Sequence, residues 1–399
     1  MILGVVGGGQ LGRMLALAAA PLNIDVVVLD PTPRCPASVA ARQIRGSLED
    51  AAALADLAAA CDVLTVEIEH TNIHALEAIH AEGVPVRPAP AVLRTVSDKL
   101  RQRRVLAAAG LPGPIFAALP GGPDTPGSGS GATELSVEDF RDRFGRTGAV
   151  RKARFGGYDG RGVERLDAGG LRTIAGGGTS VPSYLEEPVA IAAEVSVIVA
   201  RDPQGTVAVY DPLEMVMDPR LNLVDLVVAP ARIPHALAMR CEEVARGAAE
   251  TLGVVGLLAV ELFLTDDGGV LINEVAPRPH NSGHLTIEGS ATSQFEQHLR
   301  AVTGIPLGST ELIRPAVMRN IVAPGDSDES DTGVGPAFLD RDAMNDVLAI
   351  EEIHLHLYGK HQARSGRKMG HITATARSIE DALTRIDRAS RRLELYRKE

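Results

Sequence analysis

The first hundred residues repeat one pattern, a short apolar run followed by an alanine-rich amphipathic stretch, and few folds accommodate it. Ile2–Val6, Asp25–Leu29 and Asp62–Val66 read as strands; Gln10–Ala20, Leu48–Ala60 and Ile73–Ala81 read as helices. Such alternation implies right-handed βαβ units, with a parallel sheet carrying helices on both faces. A Rossmann-like first domain is therefore expected. The whole chain has 399 residues, too many for one typical core, so two or three domains are expected.

The remaining punctuation divides the chain further. Leu119–Ser136 is rich in proline, glycine and small polar residues and reads as a loop or insertion. Ala149–Arg154 reads as a strand leading into the glycine loop Gly156–Gly162. A third region starts near Val189, with strands Glu194–Ala200 and Thr206–Tyr210, helix Ala236–Leu252, a hairpin, and a helix opening at Ser293. Ser293 with Glu296 three residues on is a capping-box pattern. The expected units are 1–98, 99–188 and 189–399, an α/β architecture that is α+β in part.

A formal net charge of −11 argues against nonspecific binding to nucleic acid or to an acidic membrane. No apolar run is long enough to span a bilayer. The opening MILGVVGGG lacks a basic leader segment, so a cytoplasmic protein is expected. Cys35, Cys61 and Cys241 are widely spaced and form no CxxC pattern, which suits buried thiols in a reducing compartment.

Gly7-Gly8-Gly9-Gln10-Leu11-Gly12 matches GxGxxG between a strand and a helix. Glycines let backbone approach a ligand, and a helix N-terminus offers unpaired N–H groups to an anion. Asp30 ends the second strand, where a dinucleotide fold places its ribose-binding acid. The turn alone leaves open a nicotinamide site, another phosphate site, or a tight turn with no ligand.

Stronger chemistry lies in residues 260–274, two apolar stretches around Asp267-Gly268. Asp-Gly favours a two-residue hairpin turn. With that turn Asp266 pairs with Gly269, and counting back sets Glu261 opposite Glu274. Opposed carboxylates repel unless something neutralises them. In an apolar hairpin a divalent cation does so, and carboxylate oxygens suit Mg²⁺ shared with nucleotide phosphates. Asn273 adds an amide oxygen beside Glu274. The bland alternative is that both glutamates face water. Lys152 precedes the glycine loop and Lys99 opens a helix after Asp98, so cations for triphosphate oxygens are at hand. Backbone amides of Gly156–Gly162 can close over phosphates as a lid. No GxxxxGK[ST] sequence occurs, so this is not a Walker A loop.

Four segments then carry a family resemblance: GGGQLGRM (Gly7–Met14), GGYDGRG (Gly156–Gly162), NEVAPRPHNSGH (Asn273–His284) followed by SQFEQHLRA, and GRKMGHIT (Gly366–Thr373). From end to end the chain resembles the N5-carboxyaminoimidazole ribonucleotide synthetase family, ATP-grasp carboxylating enzymes of purine biosynthesis. The resemblance implies a three-domain ATP-grasp fold, with a small lid domain and a large catalytic domain after the first. It implies that Lys99, Lys152 and the loop residues Gly157, Tyr158, Asp159, Gly160 and Gly162 contact ATP. Glu186, Glu187, Pro188 and Val189 match the linker that holds adenine, and Glu194 the acid on the ribose hydroxyls. Glu261 and Glu274 match the Mg²⁺ ligands, with Asn273 adjoining. Gly9, Gln10 and Leu11 match the turn facing aminoimidazole ribonucleotide, and Lys360, Arg367 and Lys368 the cluster receiving its 5′-phosphate. Arg278, His280, Asn281 and Lys152 fall where the family carries out catalysis, the first three around bicarbonate and carboxyphosphate; His284 fits a structural role equally well. A homodimer is the family habit.

The chain departs from the family at Met215, Val216 and Asp218, where Glu-Asn-x-His often follows Pro-Leu, and in the length of Leu119–Ser136. The implied reaction joins bicarbonate to the γ-phosphoryl group of ATP, then passes the carboxyl to the exocyclic amine of the ribonucleotide. The rivals are another ATP-grasp ligase or carboxylase, a nicotinamide-dependent oxidoreductase resting on GxGxxG and Asp30, and a nucleotide-binding regulator without turnover.

Overall fold

The computed structural model of the chain describes residues 1–120, 133–156, 162–175, 181–218, 220, 223–323, 341–362 and 366–396. They build three sheets. The first holds four parallel strands in the order Arg42–Arg45, Asp25–Asp30, Ile2–Val6, Val63–Val66. Alternation along the first strand sends Leu3 and Val5 into one apolar cluster and Val6 into another, so both faces are dry. Each fully buried Leu or Val there contributes about 1.5–3 kcal/mol. Helices Gln10–Ala19 and Ala51–Ala59 are shorter than expected, and Ile73–Ala81 forms as expected. The strand Arg42–Arg45 is absent from the expected set because its Arg-Gln-Ile-Arg pattern follows an exposed edge rather than a buried run.

The second sheet runs Phe116–Ala118, Ser183–Glu186, Ala149–Ala153, Val163–Leu166, all antiparallel. Its apolar face, with Ala117, Ala149 and Leu185, packs on Phe140 and Leu171. The third is a nine-stranded antiparallel sheet that begins with the Val270–Ala276 and Gly256–Thr265 hairpin. It continues through Ile191–Arg201, Leu213–Asp218, Leu223–Ala229, Ala316–Val322 and Lys368–Thr375 to Ile353–Leu357, with the ninth strand, Val207–Val209, pairing off this path with Ile191–Arg201. Helix His235–Leu252 covers one face, burying Cys241, Val244 and Ala248 against Val197 and Val260.

Helix Gln294–Thr303 ties the first sheet to the third. Phe295, Leu299 and Val302 enter the cluster of Leu3 and Val5, and His298 Nε2 lies 2.8 Å from Thr65 Oγ1. The Ser293 hydroxyl accepts from the Glu296 N–H, one half of the expected capping box. The other half is not made, because Arg300 takes the Glu296 carboxylate at 2.6 Å. Of the three thiols Cys35 and Cys241 are buried and Cys61 is only half-buried. No helix among the described residues is long and apolar enough to cross a membrane.

Candidate functional site

The expected two-residue turn does not form in the hairpin. Thr265 and Gly269 close a three-residue turn, Gly268 at its last position having φ +82°, where a side chain is strained. That choice shifts the register by one, setting Leu262 opposite Ile272. A bulge at Asn273 shifts it back, so Glu261 does lie opposite Glu274. The count reaches the right pair by the wrong route. The bulge also swings Asn273 toward the acids, its Nδ2 reaching Glu261 Oε2 at 3.5 Å.

Glu261 is mostly enclosed. Burial first, then the charges of Glu274 and Glu194, push its pKa up to about 8. His280 Nε2 stands 3.2 Å from Glu261 Oε1. Burial, aided by Arg278 and Lys368, drops the His280 pKa to about 3, so a neutral ring makes this contact. Lys99 Nζ pairs with Glu274 Oε2. The two acids are thus balanced by Lys99 and by a proton, an oxygen donor set that a hard divalent cation fits. Among the described residues no group of three or more His, Cys, Asp or Glu side chains gathers to enclose an ion.

Behind the acids lies a buried charge network. Lys152 Nζ pairs with Glu186 Oε2 at 2.7 Å and donates to Asn273 Oδ1 at 2.8 Å. Arg103 donates to Glu186 Oε1 through Nε at 3.0 Å and Nη2 at 2.7 Å, and also to the carbonyls of Ile272 and Asn273. Burial alone would raise the Glu186 pKa, but Arg103 and Lys152 outweigh it and hold the carboxyl well below its ordinary range. The Glu186 side chain is therefore spent inside the protein, so a ligand at this segment could meet only its backbone. Glu187 folds back as well, its carboxylate accepting from the Ile115 N–H at 2.8 Å. Pro188 is exposed and Val189 half-buried. Glu194 is half-buried, and burial raises its pKa against the pull of Lys152. Met215 pairs directly with Glu194 across the strands, so the departure segment sets an apolar side chain beside that acid. Asp218 accepts from the Arg220 N–H at 2.8 Å.

Gly157, Tyr158, Asp159 and Gly160 lie outside the described residues. Gly162 receives the Ala153 N–H at 2.8 Å, and the preceding Arg154 pairs with Asp98, which caps helix Lys99–Ala108. The start of the loop is thereby tied to Lys99.

At the N-terminal turn the chain's own acids meet the backbone amides. Gly9 and Gly12 N–H donate to the two oxygens of Glu67, and Gly8 N–H to Asp30 Oδ2 at 3.0 Å. Two carboxylates sitting where a pyrophosphate would go argue against the nicotinamide reading. Leu11 turns its side chain into the apolar core, so a ligand could meet only its backbone; Gln10 is half-buried.

The C-terminal cluster comes to the same place. Lys360 Nζ donates to the Lys368 carbonyl at 2.7 Å and lies 5.3 Å from the Tyr358 ring centre. Arg367 donates to the Gln362 carbonyl at 2.8 Å. His361 Nε2 meets the Arg34 carbonyl at 2.9 Å, joining this segment to the first domain. The Lys368 charge contributes to the pKa shifts of Glu261, His280 and His284, so it lies within electrostatic range of Glu261. Arg278 Nε is 2.9 Å from Glu69 Oε1. Asn281 and Asn320 exchange amide hydrogen bonds at 2.8 and 2.9 Å.

Glu67, Glu69, Arg103 and Asn320 are absent from the expected set. The first two could have been found, since they follow a parallel strand at its carboxyl end, where α/β sheets place ligands. Arg103 and Asn320 carry no such signal, being set by contacts far away in sequence.

Three family models match the chain: a ribonucleotide synthetase preATP-grasp domain over residues 1–97, an ATP-grasp domain over 125–295, and a phosphoribosylaminoimidazole carboxylase C-terminal domain over 316–385. N5-carboxyaminoimidazole ribonucleotide synthase of Brucella melitensis is 39% identical over 93% of this chain and 95% of its own. The crystal structure of the Thermotoga maritima synthetase is 38% identical, with TM-score 0.83 over 98% of both chains. That of the Aspergillus clavatus enzyme, in complex with ADP and 5-aminoimidazole ribonucleotide, is 33% identical, with TM-score 0.83 over 99% of this chain and 98% of that one. With matches of this extent the chain belongs to the N5-carboxyaminoimidazole ribonucleotide synthetase family of ATP-grasp ligases.

Proposed function

We propose that the protein carboxylates the exocyclic amine of 5-aminoimidazole ribonucleotide, using ATP and bicarbonate, as a soluble cytoplasmic homodimer of de novo purine synthesis. The observation that carries this is the meeting of Glu261 and Glu274, backed by Lys152, with Arg278, His280 and Lys368. In this reading 1–98 is the first domain, 99–188 the lid and 189–399 the catalytic domain.

A bicarbonate oxygen attacks the γ-phosphorus of ATP, the bond to the β-phosphate oxygen breaks, and ADP leaves with carboxyphosphate formed. The ribonucleotide amine then takes the carboxyl carbon and gives up a proton as phosphate departs. Mg²⁺ held by Glu261 and Glu274, with Asn273 beside them, would neutralise charge on the phosphoryl oxygens. Lys99 and Lys152 supply positive charge for the same oxygens, and Gly156–Gly162, with Gly157, Tyr158, Asp159 and Gly160, shields them from water. Backbone of Glu186–Val189 borders adenine and Glu194 the ribose. Arg278 and Asn281 donate hydrogen bonds to the bicarbonate and carboxyphosphate oxygens, and neutral His280, its Nε2 turned to Glu261, borders them. Gly9, Gln10 and Leu11 border the aminoimidazole ribonucleotide, and Lys360, Arg367 and Lys368 receive its phosphate.

Incubation with ¹³C-bicarbonate, MgATP and aminoimidazole ribonucleotide tests this. Label should enter a carbamate on the exocyclic nitrogen, with one ADP formed per label. Nucleotide hydrolysis that never transfers label contradicts the reading.

A further inference from the structure

In the loop carrying Arg278, His280 and Asn281, both backbone groups of His280 meet the fully buried amide of Gln294, and the His280 carbonyl also accepts from the Gly283 N–H at 3.0 Å. Gln294 Oε1 accepts from the His280 N–H at 2.9 Å, and Nε2 donates to the His280 carbonyl at 2.7 Å. Backbone groups cannot reverse these roles, so the amide has one permitted orientation. Its second N–H then meets His284 Nδ1 at 3.0 Å. Nδ1 must present a lone pair there, so the His284 proton sits on Nε2.

Gly283 shows how closely this amide is fitted. A Cβ at that position would lie 2.5 Å from Gln294 Oε1, so only glycine leaves room. The main chain at Gln294 is held too, its N–H donating to Thr286 Oγ1 at 2.8 Å, while Thr286 Oγ1 donates to the Gly283 carbonyl at 2.6 Å. With both backbone groups of His280 taken, its ring stays aimed at Glu261, 3.2 Å away. His284 sits among Phe295, Tyr358 and His371 and feels the charges of Lys368 and Lys360.

We propose that Gln294 is a positioning residue for the reaction, fixing the backbone of His280 and the ring tautomer of His284 through this one amide. A structural filler of the same shape would serve equally well as Glu, whose carboxylate can only accept when ionised. A positioning amide would not. The kinetic arm of the test rests on the carboxylation reading; the spectroscopic arm does not, so failure of either can be told from failure of the other.

The full-length protein labelled with ¹⁵N-histidine is read by long-range proton–nitrogen correlation, with His284 assigned from a His284→Gln sample. In the wild type Nε2 should carry the proton and Nδ1 none; the reverse pattern overturns the inference whatever the enzyme does. In Gln294→Glu the proton should move to Nδ1. There kcat should fall about tenfold or more while ADP affinity stays within roughly twofold, the range seen when outer partners of site residues are removed. Gly283→Ala, which crowds the same amide, should show the same split between kcat and ADP affinity. Wild-type kcat in both variants overturns the inference. Should Gln294→Glu fail to fold, the wild-type spectrum and Gly283→Ala still decide.

Discussion

Replacing Arg103 by methionine would strip the Glu186 carboxylate of its guanidinium while leaving Lys152 in place. Arg103 and Glu186 side chains are 4% and 3% exposed, so water does little to compensate. Breaking a buried pair by removing one partner costs roughly 3–5 kcal/mol. The carbonyls of Ile272 and Asn273 also lose a donor, adding about 1 kcal/mol each at the low end. Lys152 offsets part of this through its 2.7 Å contact with Glu186. A net loss of about 4 kcal/mol is expected from these terms. It should appear as a lower urea midpoint with unchanged slope, and as a fall in Tm of about 8 °C. Adding Glu186→Gln to Arg103→Met removes the stranded carboxylate but leaves the buried Lys152 ammonium with Asn273 Oδ1 as its main partner, so the two changes should couple rather than add. Strict additivity of the two changes, or a loss under about 1 kcal/mol for Arg103→Met, would refute the reasoning. The pH dependence has a definite sign. Glu186 has a folded pKa below its unfolded value, so its contribution is complete above the ordinary 4.5 and is lost as pH falls toward about 2. Arg103→Met should flatten that acid limb.

Glu261 has the opposite sign. Its folded pKa of about 8 exceeds the ordinary 4.5, so stability it contributes below 4.5 is lost as pH rises toward 8. Glu261→Gln should remove that slope in pH-resolved melts; an unchanged slope contradicts the burial argument. Glu274→Gln should abolish turnover with near-native circular dichroism, and a wild-type rate would refute its part in metal binding. Lys368→Ala should raise KM for the ribonucleotide far more than for ATP, and equal effects in steady-state assays would count against a phosphate role.

Regular periodicity made much of this molecule legible from its sequence. The strand Ile2–Val6 and helix Ile73–Ala81 obey buried periods that nothing else in the chain opposes. The facing of Glu261 and Glu274 came out of the Asp-Gly count only because the three-residue turn and the bulge at Asn273 shift the register in opposite senses. Arg42–Arg45 was not readable, since an edge strand need not be apolar. The Glu67 and Asp30 contacts at the glycine turn were hidden for another reason: GxGxxG describes the amides but not what fills them. Arg103 sits in the Lys- and Arg-rich helix Lys99–Ala108 and looks like any solvated arginine until Glu186 and Asn273 are brought to it.

The most direct trial of the account is ADP release measured with ATP, bicarbonate and aminoimidazole ribonucleotide, leaving out one at a time. Omitting any one of the three should bring release to background. Full-rate release without bicarbonate, or without the ribonucleotide, would contradict it.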